Sequence, residues 1–418
     1  MILIYDIVLL LCFIPVLLLL ALRSLRRKND EFAYKLTERL GNWDVSPLKN
    51  PRKPLLWFHC ASVGEVRAIE PLIKTLDEYS ILLTTLTPTG NAYAIKSRSA
   101  DFVYLAPIDF TFVVEKVLSA VQPRGLVLVE TEFWPGLIWT AKKHGLKLFL
   151  ANARLSKHSF GYYRLMKPFW KRCLANIDRI GARSPEDAER FMRLGVPASR
   201  ITVTGNIKYD RSFTAPAVTR AALGFRDSDI LLVAGSTRTG EEEILFDAWL
   251  ELRKSHPELK IAVAPRHLHR VSKISATLDK KKVSYARFSS HPKGPVDCLL
   301  VDTFGDLQKF YAVCDIAFVG GSFVNKGGQN PIEPAAYSKP VLFGPSMHNF
   351  QTEAAVLEEM GGGFRVKDGK EFSSCISKLI TGTKERLEAG KRAQEAVESQ
   401  KGALARSKEL LRTVLAQS

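Results

Sequence analysis

No C-x-x-C pair occurs in this chain, and its six cysteines (Cys12, Cys60, Cys173, Cys298, Cys314 and Cys375) are scattered over 418 residues. That spacing excludes a disulfide framework and a cysteine-rich zinc module, and it predicts reduced thiols in a cytoplasmic compartment. His267 and His269 have no third ligand near them in sequence, so a zinc centre is not expected. No long low-complexity run interrupts the chain, and 46% hydrophobic with 25% charged residues describes folded domains rather than a disordered polymer. Acidic residues are the scarcer charge: 43 Asp and Glu stand against 60 Lys and Arg, a formal net charge of +17. The excess predicts a field that attracts nucleic acid, acidic lipid head groups or phosphorylated substrates, without choosing among them.

What is present begins with an apolar run. Ile7 to Leu22 is uninterrupted, and Met1 to Ile4 extends it across Tyr5 and Asp6. A bilayer is spanned by ~20 apolar residues, so 1–22 is predicted to form a membrane anchor helix. Arg23-Ser24-Leu25-Arg26-Arg27-Lys28 follows and assigns the remainder to the cytoplasmic side. A cleaved signal peptide is the competing reading; no basic segment precedes the run and no small-x-small site follows it.

The length suggests two or three domains. Leu55 to Phe58, Ile81 to Thr85, Phe102 to Leu105, Leu126 to Val129 and Leu148 to Ala151 read as buried strands separated by helical patterns. The rhythm recurs at Ile230 to Ala234, Ile261 to Ala264, Cys298 to Val301, Ile316 to Val319 and Val341 to Phe343. Two α/β domains with parallel sheets are therefore predicted over 23–205 and 222–383, joined by a polar linker over 206–221 with a cleft beside it. A charged amphipathic stretch over 384–418 could pack back on the first domain. In such sheets ligands bind beyond the carboxyl ends of strands, which directs attention to the residues just after each apolar run.

Five places carry chemistry. After the first run, His59-Cys60-Ala61-Ser62-Val63-Gly64-Glu65 delivers a carboxylate to a helix start, although Ser62 and Glu65 also have the spacing of a capping box. Leu126 to Val129 ends in Glu130-Thr131-Glu132-Phe133-Trp134-Pro135, where paired acids suit a general base and its partner, or two acceptors of sugar hydroxyls; a solvated turn is the plainer reading. In the second domain, Ser236 and Arg238 follow one strand and Pro265-Arg266-His267 another. Gly327-Gly328-Gln329-Asn330-Pro331-Ile332-Glu333-Pro334 joins a glycine turn to a helix start, with N–H groups predicted to meet an anion and Glu333 to take ribose hydroxyls. Asp227-Ser228-Asp229 precedes its strand, on the wrong edge for a ligand, and is read as a turn rather than a metal site. Phe160 to Arg172 mixes aromatic and basic residues, as a membrane surface or a half-buried helix would.

Taken in order, these motifs resemble the Kdo transferases, the inner-membrane enzymes that move 3-deoxy-D-manno-octulosonic acid (Kdo) from CMP-Kdo to lipid A precursor. The likeness runs through Arg39-Leu40-Gly41, Ala61 to Glu65, Thr84-Thr85-Leu86-Thr87-Pro88-Thr89-Gly90, Glu130 to Pro135, Asn152-Ala153-Arg154-Leu155-Ser156, Gly205 to Asp210, Ala264 to His267 and Gly327 to Pro334. The resemblance implies a two-lobed GT-B glycosyltransferase of Rossmann-like lobes, inverting, metal-independent and without cofactor. It implies Glu65 as general base, with Ser62, Gly64, Thr87, Thr89, Glu130, Glu132, Arg154 and Ser156 on the acceptor side. Lys208, Ser236, Arg238, Pro265, Arg266, His267, Gly327, Gly328, Gln329, Asn330 and Glu333 would hold the donor. Implied partners are CMP-Kdo, the lipid A precursor lipid IVA and inner-membrane lipids, with no nucleic acid. Gly136 departs from the family pattern, which has asparagine after Trp134-Pro135. Glu65 at a helix N-terminus is expected to be ionised at neutral pH. A GT-B transferase of another nucleotide sugar and a non-catalytic, membrane-tethered anion binder are the alternatives.

Overall fold

The structure, a computed structural model, describes residues 4–11, 35–48, 51–210, 213, 215–292 and 294–416. Residues 4–11 are helical; the rest of the expected anchor and the basic run at 23–28 lie outside the described residues. Among the described residues no helix is long and apolar enough to cross a membrane.

Two parallel sheets of seven strands carry the chain. The first contains β1 (Leu55–Cys60), β2 (Ser80–Thr85), β3 (Phe102–Leu105), β4 (Gly125–Val129), β5 (Lys147–Ala153), β6 (Arg179–Ala182) and β7 (Ile201–Val203), in the order β3-β2-β1-β4-β5-β6-β7. Every residue of β1 and β4 is buried, as expected for strands covered on both faces. Alternate side chains feed opposite layers: Trp57, Leu126 and Leu148 join one core, while Leu56, Phe58 and Val127 join the other.

The second sheet contains β8 (Ile230–Thr237), β9 (Leu259–Pro265), β10 (Ala286–Arg287), β11 (Cys298–Leu300), β12 (Ile316–Val319), β13 (Val341–Phe343) and β14 (Gly363–Arg365), in the order β10-β11-β9-β8-β12-β13-β14. Leu232, Ala234 and Ile261 enter one layer, and Leu231, Val233 and Ala262 the other. In each sheet the chain first builds outward on one side and then crosses to the other. The resulting switch points lie between β1 and β4 and between β8 and β12, where a crevice opens at the carboxyl ends.

The compact units are Met1–Arg211 with Lys401–Ser418, and Ser212–Gln400. The stretch read as one helix over 384–418 is divided: helix Thr383–Ser399 belongs to the second unit and helix Ala403–Ala416 to the first. Gly402, at φ 93°, interrupts it with a left-handed turn. Asp210 then accepts the Gly402 and Leu404 N–H groups at 2.6 and 2.5 Å, while Ala403, Leu411, Val414 and Leu415 enter the first unit's core.

Candidate active site

The end of β1 turns at Ala61 into helix Val63–Ile73. The capping box does not form. Ser62 makes no side-chain cap bond, and the Glu65 carboxylate accepts instead from the Ala61 N–H. Across the switch point, Glu130 accepts from Lys208 Nζ at 3.2 Å and Asn152 Nδ2 at 3.4 Å, and Glu132 accepts from Trp134 Nε1 at 2.7 Å. Glu130, Asn152 and Ser236, at the carboxyl ends of β4, β5 and β8, hold left-handed φ values of 57°, 51° and 56°. Strain of this kind persists where the surroundings over-determine it and clusters at functional sites.

These surroundings separate the three carboxylates electrostatically. Burial, reinforced by the charge of Glu132, pushes Glu65 up to about 8; the Ala61 N–H opposes this but does not prevail. The expectation that the helix dipole keeps Glu65 ionised at neutral pH is therefore corrected: loss of water outweighs the dipole. Glu132 is also raised, chiefly by burial. Burial acts on Glu130 too, yet Lys208, Arg183 and Arg154 hold it below the usual glutamate range. One carboxylate thus stays charged while another titrates near neutrality, a pattern suited to proton transfer.

Two residues here escaped sequence reasoning. His59, buried at the end of β1, places Nδ1 2.9 Å from Thr84 Oγ1. Its Nε2 has no hydrogen-bond partner, with Glu132 Oε2 3.8 Å away, and burial lowers its pKa to about 4, so the ring is neutral. A histidine inside an apolar strand was the available signal. Asp109 is the other. Its carboxylate accepts from Tyr5 Oη at 2.6 Å and from the Gly136 and Leu137 N–H groups at 2.8 and 2.7 Å, capping helix Pro135–Lys143.

Asp109 explains the departure at Gly136. A Cβ there would overlap the Asp109 carbonyl oxygen, so asparagine does not fit this backbone. Gly136→Asn is expected to destabilise the protein by about 1–3 kcal/mol through overpacking, measured as a lower melting temperature.

The remaining acceptor-side candidates surround Glu65 and Glu130 unevenly. Thr87 caps helix Pro88–Ser97 by accepting the Gly90 N–H at 3.2 Å and donates to Ala61 O at 3.0 Å, buttressing the turn that carries Glu65. Ser62 is half-buried, whereas Gly64 and Thr89 are exposed. The Arg154 amide donates to Glu130 O at 3.3 Å. Ser156 caps helix Lys157–Leu165 through the Ser159 N–H at 3.1 Å. Lys208, expected among the donor-binding cations, lies in the first unit and is paired with Glu130.

In the second unit the basic strand ends do converge. Arg238 Nη1 donates to His267 Nε2 at 2.7 Å, so this ring nitrogen is an acceptor. Slight burial and then the charges of Arg238, His269, Arg266 and Arg270 lower the His267 pKa. Arg266 and His267 are exposed, Ser236 is half-buried, and Pro265 is buried at the end of β9. Arg238 and Gln329 both border Gly321: a Cβ on that glycine would lie 3.6 Å from Arg238 Cγ and 3.4 Å from Gln329 Nε2. Buried Glu241 ties the loops together, accepting from the Arg238, Gly321, Ser322 and Phe323 N–H groups at 2.8, 2.6, 2.9 and 2.9 Å.

The glycine turn differs from its sequence reading. Gly327 and Gly328 have φ values of 81° and 74°, but their N–H groups are already committed, to Ser346 Oγ at 3.0 Å and Gly321 O at 2.8 Å. Their role here is a tight turn packed against Asn349 and Met347, where side chains would collide. Asn330 Oδ1 accepts the Ile332 N–H at 3.1 Å, and its amide donates to Glu333 Oε1 at 3.4 Å. Asp229 accepts the Arg226 N–H at 2.7 Å, as a turn residue would. Among the described residues no group of three His, Cys, Asp or Glu is placed to hold a metal ion.

Residues 34–211 match the family described as 3-deoxy-D-manno-octulosonic-acid transferase (kdotransferase). A 3-deoxy-D-manno-octulosonic acid transferase of Haemophilus influenzae is 32% identical over 424 residues, covering 98% of each chain. That of Bordetella pertussis is 33% identical over 386 residues, covering 88% of each. A UDP-GlcNAc 2-epimerase of Neisseria meningitidis has a TM-score of 0.60 at 14% identity, over 87% of this chain and 100% of that one. A glycosyltransferase of Rickettsia africae likewise has a TM-score of 0.60 at 11% identity, over 88% and 99%. At such identities the two solved structures establish a shared fold alone. The end-to-end match to the Haemophilus influenzae enzyme establishes more: this chain belongs to the 3-deoxy-D-manno-octulosonic acid transferase family.

Proposed function

We propose that this Kdo transferase is an inverting GT-B enzyme that takes Kdo from CMP-Kdo and delivers it, without a metal, to a hydroxyl of the lipid A precursor lipid IVA at the cytoplasmic face of the inner membrane. The observation that carries the mechanism is the place of Glu65, in the first helical turn beyond β1 with its carboxylate held by the Ala61 N–H, where burial and the charge of Glu132 push its pKa up to about 8. In the reaction Glu65 removes the acceptor hydroxyl proton as that oxygen attacks the anomeric carbon of Kdo. The bond from that carbon to the CMP phosphate oxygen breaks with its electron pair, CMP leaves from the opposite face, and Glu65 returns its proton to solvent. Glu130, held charged by Lys208, and Glu132 receive sugar hydroxyls, with Arg154 nearby.

Donor and leaving group are both anionic, since Kdo carries a carboxylate on its reacting carbon. Arg238, Arg266 and His267 supply fixed cations and donors for them, with Gln329 beside Arg238 and Glu333 toward the ribose. Contact with the membrane is supported by Tyr162, Leu165 and Met166, which are 63%, 81% and 57% exposed beside Lys157, Lys167 and Lys171.

The test incubates the detergent-solubilised protein with labelled CMP-Kdo, generated in situ, and tetraacylated lipid A precursor in EDTA. Mass spectrometry should find the precursor mass increased by whole Kdo units. Use of a UDP- or ADP-sugar instead would overturn the donor assignment, and product formed only after a divalent metal is added would overturn metal independence.

A further inference from the structure

A cavity of about 310 Å³ lies within the first unit, walled chiefly by Leu9, Leu86, Ile108, Val114 and Leu137. Its wall toward the carboxylates is formed by His59, Thr87 and Trp134. Trp134 Nε1 donates to Glu132 at 2.7 Å, and Thr87 Oγ1 donates at 3.0 Å to the carbonyl of Ala61, the residue whose amide holds Glu65.

The polar groups on the wall are largely spent on the protein itself. Arg39 donates to Leu86 O at 2.5 Å, and Asp109 takes the Tyr5 hydroxyl and two helix N–H groups. His59 Nε2 is left without a partner. A buried water needs two to four polar partners, so this space suits hydrocarbon better than water. Leu9 belongs to the helix at 4–11, which is fastened here by the Tyr5–Asp109 bond and by the Thr111 N–H donating to Asp6 at 3.0 Å. The N-terminal apolar run thus begins at the cavity wall.

We infer that this cavity receives one acyl chain of the acceptor lipid and thereby fixes the sugar hydroxyl beside Glu65. The inference rests on the proposal that the acceptor is an acylated sugar. Buried hydrocarbon contributes about 0.8 kcal/mol per methylene, or about fourfold in affinity. Acyl preference is therefore set here and not only by partition into membrane.

The experiment compares kcat/KM for tetraacylated and fully deacylated precursor in the wild type and in two cavity-filling variants, Val114→Phe and, at Ala106 on the same wall, Ala106→Phe. The ratio of the two values is insensitive to the folded fraction, and filling the cavity does not alter micelle partition. A fall in that ratio of tenfold or more in either variant is expected; an unchanged ratio in both overturns the inference. Should neither variant fold, wild-type kcat/KM with short-chain acceptors, kept below their aggregation concentration, should drop about fourfold per methylene removed, and a flat series overturns the inference equally. Wild-type protein that transfers Kdo to neither acceptor would overturn the underlying proposal, whereas transfer without dependence on the cavity would overturn this inference alone.

Discussion

Replacing Glu65 with glutamine is expected to lower kcat by about 10²–10⁴-fold, the range of a lost general base, while the fold and the affinity for CMP persist. Glutamine retains a side-chain oxygen that can accept the Ala61 N–H, so the turn after β1 keeps its anchor. The basic cluster around Arg238 and His267 belongs to the other unit and is untouched. What is lost is the proton acceptor. Glu132, also raised by burial, is the competing base in the same site. Full activity of Glu65→Gln combined with an inactive Glu132→Gln would transfer the role to Glu132.

A second large effect is expected on stability. Glu241 is fully buried, its Oε1 accepting from Ser322 and Phe323 and its Oε2 from Gly321 and Arg238. Leaving a buried N–H unsatisfied costs about 1–3 kcal/mol, and Glu241→Ala strips the partner from four N–H groups, two of them buried and two part-buried. The sum rivals the ~5–15 kcal/mol that holds an ordinary domain together. Glu241→Ala should therefore unfold the second unit or lower its melting temperature sharply, with loss of CMP binding. Glu241→Gln, of nearly equal volume, turns an NH2 toward two of the donors and should fall between alanine and wild type. A urea titration that places the alanine variant within about 0.5 kcal/mol of wild type, the range of an indifferent surface change, would contradict this role.

The sequence made the sheets legible wherever a strand is a continuous apolar run. Ten apolar runs correspond to strands β1–β5, β8, β9 and β11–β13. The strands not read lack such a run: β6 starts with Arg179 and includes Gly181, β7 has Thr202 at its centre, β10 has only two residues, and β14 starts with Gly363. Their pairing is supplied by neighbouring strands rather than by composition, which is why propensity does not reveal them. The positions of Glu65, Glu130 and Glu132 at strand ends were legible for the same topological reason. Their ionisation was not, because burial depends on packing between distant segments.

Local patterns also misled where a partner arrives from elsewhere. Ser62 and Glu65 have capping-box spacing, but Glu65 bonds Ala61. Gly327 and Gly328 have the form of an anion-binding turn, yet Ser346 and Gly321 occupy their amides. The Tyr5–Asp109 bond joins residues 104 positions apart, and only the folded chain shows why position 136 is glycine.

The most direct measurement is the pH dependence of kcat/KM for Kdo transfer between pH 6 and 9, at saturating CMP-Kdo and limiting acceptor. Burial raises Glu65 from its ordinary 4.5 to about 8, so the base is protonated below that pH and ionised above it. The rate should rise tenfold per pH unit and level off near 8, with the rise abolished in Glu65→Gln. A profile flat across this range, or one whose slope survives in Glu65→Gln, would contradict a half-buried Glu65 acting as the general base.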